Sequence, residues 1–237
     1  MQVGRHRSIL ENESWSSVQY RSPPAPVTTT TDSARAARAR IAAAYPVAMP
    51  PSDDPYLAPP AAPPSGIAVP IRIPRHLADA HRRLDRAAIA GARPHVTVLY
   101  PFLPASALTV DVRSGLARLA AAVKPFEVRF ERVRRFDDGL VWLEPEPSEP
   151  FAALTDAVAA RWPTHPHYGG RFDDVIPHLT VAEADGPDSL AEAEAAARWV
   201  VPFSARASHL EVWRQDEAGR WHPHWRIPLG RRPAVRP

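Results

Sequence analysis

Apolar and polar residues alternate in two short stretches of the chain that share one pattern. Residues 95–98 read His-Val-Thr-Val and residues 178–181 read His-Leu-Thr-Val, each directly after a proline. In an extended strand every second side chain points to the same face, so His and Thr share one face and the apolar residues share the other. The alternation therefore predicts two half-buried strands, each presenting one imidazole and one hydroxyl.

The two stretches open a longer repeat. Each is followed by an Ala-rich segment with helical composition, residues 106–123 and 187–199, and then by a Pro-Phe pair that begins a strand-like run. The order strand, helix, Pro-Phe, strand thus occurs twice. We interpret it as two similar lobes that face one another and bring both histidines and both threonines into one cleft.

The remaining elements are predicted from periodicity and turn residues. Residues 66–73 are expected to form a strand, and residues 76–89 and 150–162 amphipathic helices. Asp-Asp-Gly at 137–139 and Asp-Glu-Ala-Gly at 216–219 separate apolar runs, which is typical of hairpin turns.

Composition divides the chain into three parts. Residues 1–64 are rich in Pro, Ala and Thr and have little apolar periodicity, so we expect a disordered segment that cannot offset the cost of chain ordering. The exception is 32–45, where the pattern predicts a short isolated helix that is marginal in water. Residues 65–230 are expected to form the folded domain, and residues 231–237 a short basic tail.

Charge and cysteine content exclude several classes of function. The whole chain has a formal net charge of +3, but residues 66–230 contain 20 basic and 21 acidic residues, which argues against a general duplex-binding surface. The absence of cysteine removes disulfides, thiolate nucleophiles and Cys-ligated zinc. With no apolar stretch of membrane-spanning length and no secretory signal pattern, we expect a cytoplasmic protein.

Two histidines can share one reaction, one neutral as a base and the other protonated as an acid. Phosphodiester transfer uses such a pair, and neighbouring hydroxyl groups can hold the non-bridging oxygens. A single His-x-Thr sequence usually belongs to an ordinary strand whose histidine is hydrogen-bonded and has no chemical role. The repeated copy favours chemistry, and no metal is required.

The twin motifs, His95-x-Thr97 and His178-x-Thr180, resemble those of the 2H phosphoesterase superfamily, particularly its 2′-5′ RNA ligase-like and cyclic phosphodiesterase branch. The resemblance covers residues 66–229. It implies a bilobal, pseudo-twofold α+β fold, with two antiparallel-rich sheets and flanking helices around a central cleft. It also implies catalytic roles for the two histidines, phosphate-binding roles for the two threonines, and no metal or other cofactor.

The implied substrates carry a 2′,3′-cyclic phosphate or a 2′-5′ linkage, on RNA ends, nucleotides or a smaller cyclic phosphate. We expect a monomer without a membrane partner. After the first motif, residues 99–102 read Leu-Tyr-Pro-Phe where RNA ligase-like members commonly have Phe-Leu-Gly. The alternative is a non-catalytic module that binds RNA or nucleotides in the same cleft.

Other side chains offer further candidates. His-Pro-His occurs at 165–167 and 222–224, where a surface position is favoured over metal binding. Tryptophans at 142, 213, 221 and 225 are candidates for base stacking, although packing is favoured. Arg134, Arg135 and Arg226 are candidates for a positive phosphate pocket, and solvated strand edges explain them equally well.

Overall fold

The alternating stretches form strands and the Ala-rich segments form helices. The structure is a computed structural model that describes residues 63–136, 139–170, 175–183 and 186–231. The strands are β1 (Ser65–Pro70), β2 (His95–Leu99), β3 (Phe126–Arg135), β4 (Leu140–Glu146), β5 (Leu179–Glu183), β6 (Phe203–Ala207), β7 (His209–Gln215) and β8 (Trp221–Pro228). The helices are α1 (Arg75–Leu84), α2 (Arg86–Ile89), α3 (Val110–Ala122), α4 (Glu149–Arg161) and α5 (Pro187–Val200). The predictions for residues 1–62 and for 232–237 lie outside the described residues.

The α+β class with antiparallel strands and flanking helices is confirmed. The two predicted sheets, however, are joined into one: the eight described strands pair in the order β6-β3-β4-β5-β2-β1-β7-β8, and every pairing is antiparallel. The joint is the pairing of β2 with β5, which within the described residues consists of Val96 opposite Leu179. We call this pair the seam.

The sheet must curl strongly because of how β6 and β7 are connected. Ser208 alone separates them in the chain, yet β6 pairs with β3 at one end of the strand order and β7 pairs with β1 near the other. One residue cannot span a flat sheet of this width. The strand-like run predicted after the second Pro-Phe pair is therefore broken at Ser208, where the chain passes from one half of the sheet to the other.

The repeat is present, but its two copies are interlocked. In the first copy β1 pairs with β2, and in the second β4 pairs with β5. After its later helix each copy contributes a strand to the other half. In the first copy β3 directly follows α3 and pairs with β4, whereas in the second copy the chain passes through β6 before β7 pairs with β1. Each half of the sheet is thus completed by a strand from the other copy.

Helices cover one face of the sheet and form the core with it. Val96 and Leu179 are buried there together with Leu77 of α1, Leu116 of α3 and Leu154 of α4. Burial of such apolar side chains is the main favourable term in folding. None of the helices in the described ranges is long and apolar enough to cross a lipid bilayer.

The helix predicted over 76–89 is interrupted by one residue. Asp85 has extended backbone angles (φ −99°, ψ 124°), and its carboxylate accepts a hydrogen bond from the amide of Ala88. Asp is a favoured N-cap because its side chain satisfies an amide that the first helical turn leaves unpaired. The chain therefore ends α1 at Leu84 and begins α2 at Arg86.

Candidate active site

The seam brings the two His-x-Thr stretches side by side. Its two members are the central residues of the two motifs, and both side chains lie in the core. Extending the antiparallel register by one residue in each direction places His95 opposite Thr180, and Thr97 opposite His178. Directly opposed residues lie about 5 Å apart. All four side chains therefore share the face of the sheet that the core helices do not cover.

Both imidazoles are oriented by the same backbone device. Nδ1 of His95 lies 2.7 Å from the carbonyl oxygen of Arg93, and Nδ1 of His178 lies 2.7 Å from that of Ile176. A carbonyl oxygen only accepts, so Nδ1 carries the proton in each ring. The neutral form then has its lone pair on Nε2, the nitrogen that would accept or donate the proton in acid/base chemistry.

Aromatic rings pack edge-on against both histidines. The centroid of Trp213 lies 4.7 Å from that of His95, and the centroids of Trp142 and Phe136 lie 5.9 and 5.4 Å from that of His178. Trp142 and Trp213 are only 7% and 5% exposed, so the packing interpretation holds for these two rings rather than open base stacking. They restrict the rotation of the imidazoles.

The electrostatic surroundings of His95 favour its neutral form. Burial lowers the pKa of His95 to about 4, although the Arg93 carbonyl opposes this. The positive forms of His81 and His178 lower that pKa further, and the negative charge of Glu211 raises it. The effect of His178 on the pKa of His95 agrees with the neighbouring positions of the two motif histidines at the seam.

Thr97 has a partner from a distant loop. Its hydroxyl is hydrogen-bonded with the side chain of Tyr168. Burial raises the pKa of that tyrosine. The amide of Tyr168 also donates to the carbonyl oxygen of Tyr100, at 2.7 Å. Tyr168 has left-handed backbone angles (φ 47°, ψ 35°). Bulky residues rarely adopt them.

The sequence of residues 63–219 matches the model of a family described as the 2′-5′ RNA ligase superfamily. The match spans more than half of the chain and includes both motifs. The chain belongs to the 2′-5′ RNA ligase superfamily. Its resemblance to 2H phosphoesterases is thereby confirmed at the level of the superfamily.

Solved structures of similar fold include the following three. LigT of E. coli complexed with 3′-AMP is 18% identical, with a TM-score of 0.41, over 70% of this chain and 98% of that chain. LigT complexed with NADP+ is 18% identical, with a TM-score of 0.40, over 71% and 99%. TT0787 of Thermus thermophilus is 18% identical, with a TM-score of 0.46, over 70% and 98%. No curated protein matches the chain.

In this superfamily member the other candidate groups have partners outside the two motifs. Among the described residues, no three His, Asp or Glu side chains converge to hold a metal ion. His222 instead bonds Asp216 in the second hairpin, at 2.7 Å. Arg134 lies opposite Trp142 but its guanidinium pairs with Glu144 at 3.0 Å, and Arg226 lies opposite Glu211.

The structure adds site residues that the sequence did not predict. Tyr168 and Phe136 come from a loop and from a strand end, where no periodic pattern marks them. Arg93 contributes through its backbone carbonyl, which any residue type could provide. Glu211 was the one detectable signal, because it is an acidic residue between the apolar neighbours Leu210 and Val212.

Proposed function

We propose that this chain is a metal-independent phosphoesterase that acts on 2′,3′-cyclic phosphate or 2′-5′ phosphodiester substrates, on RNA ends or nucleotides, by two-histidine general acid/base catalysis. The observation that carries the proposal is the symmetric presentation of His95 and His178. In both residues Nδ1 is hydrogen-bonded to a backbone carbonyl oxygen, and both side chains lie on the same face of the sheet at the seam. This is the arrangement that a base and an acid acting on one phosphorus require.

The reaction follows from that arrangement. One neutral imidazole removes a proton from water as the water oxygen bonds to phosphorus. The bond from phosphorus to one ribose oxygen breaks, and the other, protonated imidazole donates its proton to that oxygen. The hydroxyls of Thr97 and Thr180 donate hydrogen bonds to the non-bridging oxygens, where negative charge accumulates. The proton removed and the proton donated balance, and the product is a phosphomonoester.

The net charge of the folded part favours a nucleotide or an RNA end over a long nucleic acid as the substrate. Residues 66–230 have a formal net charge of −1, which provides little of the counterion-release energy that drives binding to long nucleic acids. We therefore propose nucleotides or RNA ends, met by a monomer in the cytoplasm, rather than duplexes.

The test is a turnover assay in EDTA against 2′,3′-cyclic nucleotides, 2′-5′ dinucleotides and RNA with a cyclic phosphate end. We expect wild type to hydrolyse at least one of them. His95→Ala and His178→Ala should each lower turnover about 10² to 10⁴-fold, because each removes one proton-transfer group. The double variant should be much less than multiplicatively worse, because the two groups act as a unit.

His76→Ala is the matched control, since His76 is an exposed histidine of α1 outside the site. It should retain full activity. Full activity in either motif variant would refute the two-histidine mechanism. Activity lost in EDTA and restored by Zn²⁺ or Mn²⁺ would refute the metal-independent one. Binding of these ligands without turnover by wild type would establish the non-catalytic alternative.

A further inference from the structure

A buried carboxylate lies in the same face of the sheet as the motif residues. Glu211 of β7 is only 4% exposed. It lies opposite Ala68 of β1, and Ala68 lies opposite Thr97 of β2. Because directly opposed residues share a face, Glu211 is in the row of side chains that contains Thr97.

Three side chains compensate the buried charge of Glu211. The indole Nε1–H of Trp213 donates to its Oε2 at 2.7 Å. Its Oε1 lies 3.5 Å from a guanidinium nitrogen of Arg93 and 3.4 Å from Nε2 of His209. A carboxylate is rarely buried without such partners, since removing its charge from water is strongly unfavourable.

Two of these partners are the groups that hold His95. Arg93 pairs with Glu211 through its guanidinium and accepts the Nδ1–H of His95 on its carbonyl oxygen. Trp213 donates to Glu211 and packs edge-on against the His95 ring. We propose that Glu211 is a positioning residue for His95, which fixes the Arg93 backbone and the Trp213 ring around the imidazole and places a negative charge beside it.

The charge has a direct chemical use. His95 carries a proton at one stage of the proposed reaction, whichever role it has, and burial disfavours that charged form. Glu211 is the acidic group that opposes this effect. Among the described residues, the other charged or titratable groups facing Glu211 are Arg93, His209 and, from β8, Arg226. His81 and His178 act on His95 itself in the opposite direction.

Within the described residues, the tryptophan beside the second motif has no hydrogen bond equivalent to that between Trp213 and Glu211. Trp142 packs against His178 as Trp213 packs against His95, but among the described residues its buried indole Nε1 has no hydrogen-bond partner. The two imidazoles are thus presented alike by the backbone and differ in what supports their aromatic neighbours. A base and an acid need such a difference, because they act in opposite protonation states.

This inference rests on the proposed function for its catalytic meaning, so its primary test does not need turnover. The imidazole titration of His95 is followed by NMR in wild type and in Glu211→Gln, with His95→Ala assigning the signal. Gln keeps an oxygen for the Trp213 N–H but has no charge. We expect the pKa of His95 to fall by about 0.5 or more. Glu127→Gln, at an exposed ion pair on β3, should leave it unchanged.

In the enzyme assay, Glu211→Gln should lower kcat/KM about tenfold and move one limb of the pH profile to lower pH, with little change in KM. Movement of the acid limb identifies His95 as the base, and movement of the alkaline limb identifies it as the acid. Trp213→Phe removes the indole donor and leaves a smaller aromatic ring beside His95, and should lower kcat/KM about threefold. It also serves if Glu211→Gln does not fold.

An unchanged His95 titration in Glu211→Gln, or unchanged kcat/KM in both Glu211→Gln and Trp213→Phe, would overturn the positioning role. A lowered His95 pKa in a protein that hydrolyses none of the substrates would instead contradict the proposed function and leave the role of Glu211 beside His95 standing. The two failures are therefore distinguishable.

Discussion

Tyr168 is held to the site by both its backbone and its side chain. Its left-handed conformation costs roughly 1–2 kcal/mol for a residue with a Cβ. Two contacts to the β2 segment offset this cost, namely the amide bond to the Tyr100 carbonyl and the hydroxyl bond with Thr97. Strain of this kind is concentrated at functional sites, where the surrounding structure fixes an unfavourable conformation.

Tyr168→Phe should therefore act through Thr97. It removes the hydroxyl that orients the Thr97 side chain and leaves the ring and the backbone conformation in place. We expect kcat/KM for a cyclic phosphate to fall about three- to tenfold, the value of one hydrogen bond. The measurement is a double-mutant cycle with Thr97→Val. In the Thr97→Val background Tyr168→Phe should have almost no further effect, and a full additional loss would contradict the indirect role.

At this scale the shared strand face of the motif residues was predictable and their partners were not. His95, Thr97, His178 and Thr180 follow from strand alternation and from the repeat, which are local properties of the sequence. The position of Tyr168 depends on a loop 71 residues away from Thr97 in the chain. Its left-handed backbone is stabilised by contacts that exist only after the sheet has formed.

Side chains from two helices form equivalent hydrogen bonds with backbone carbonyl oxygens near the ends of the motif strands. The hydroxyl of Thr155 in α4 donates to the carbonyl of Val98 at 3.1 Å, and Nδ1 of His81 in α1 lies 3.3 Å from the carbonyl of Val181. Each carbonyl is three residues beyond a motif histidine and two beyond the seam, where the partner strand has ended. Buried carbonyl groups without a strand partner need another donor. The helices supply it.

His81 and Asp85 should make stability depend on pH in opposite directions. Burial lowers the pKa of His81 to about 4 and raises that of Asp85 to about 7. Unfolded His81 binds a proton below about 6.5, so its contribution is lost as pH falls from there towards 4. Unfolded Asp85 releases its proton near 3.8, so its contribution is lost as pH rises towards 7. In wild type the two slopes nearly cancel.

Single variants should reveal each slope. Asp85→Asn retains the helix cap and leaves His81, so its unfolding free energy should fall relative to wild type as pH is lowered from 6.5 to 4. His81→Phe should show the opposite trend, with a limiting slope of about 1.4 kcal/mol per pH unit in each case. Urea unfolding at pH 4.5, 5.5 and 6.5 measures both. Asp79→Asn, at an exposed site on α1, should parallel wild type; parallel curves for all four proteins would contradict the assignment.

The elements themselves were largely predictable, with two informative exceptions. The break of the first helix at Asp85 depends on a capping bond whose geometry a periodic apolar pattern does not reveal. The break at Ser208 depends on the curl of the whole sheet. In both places the local pattern is continuous, and a tertiary requirement interrupts it.

For the whole molecule, the sequence predicted a duplicated α+β fold but not the joining of its halves. One sheet forms because the motif strands pair with each other at Val96 and Leu179, and a pattern of apolar residues contains no information about which strand is its neighbour. The exchange of β3 and β7 between the halves was likewise beyond pattern analysis. It depends on which partner each strand meets after its helix.

Residues 1–62 should be dispensable for folding and catalysis. The described residues from 63 onward contain an eight-stranded sheet and all four motif side chains, and the N-terminal composition offers few apolar groups to bury. A chain beginning at Pro63 should melt within about 2 °C of the full chain and keep its activity, measured by calorimetry and turnover.

A deletion to Pro70 is the matched control. It removes β1 and its pairing with both β2 and β7, and should prevent folding. A large loss of stability in the chain that begins at Pro63 would show instead that the N-terminal segment docks on the domain.

The exchange of strands between the two copies has an evolutionary consequence. Two identical half-length chains that traded their last strands would form an isologous homodimer, with Val96 and Leu179 as the same residue on either side of its axis. Such an ancestor would present two identical histidines. Fusion of the copies into one gene releases them from identity, so Glu211 can serve one imidazole alone. A single chain can therefore specialise two halves that a symmetric pair must keep equal.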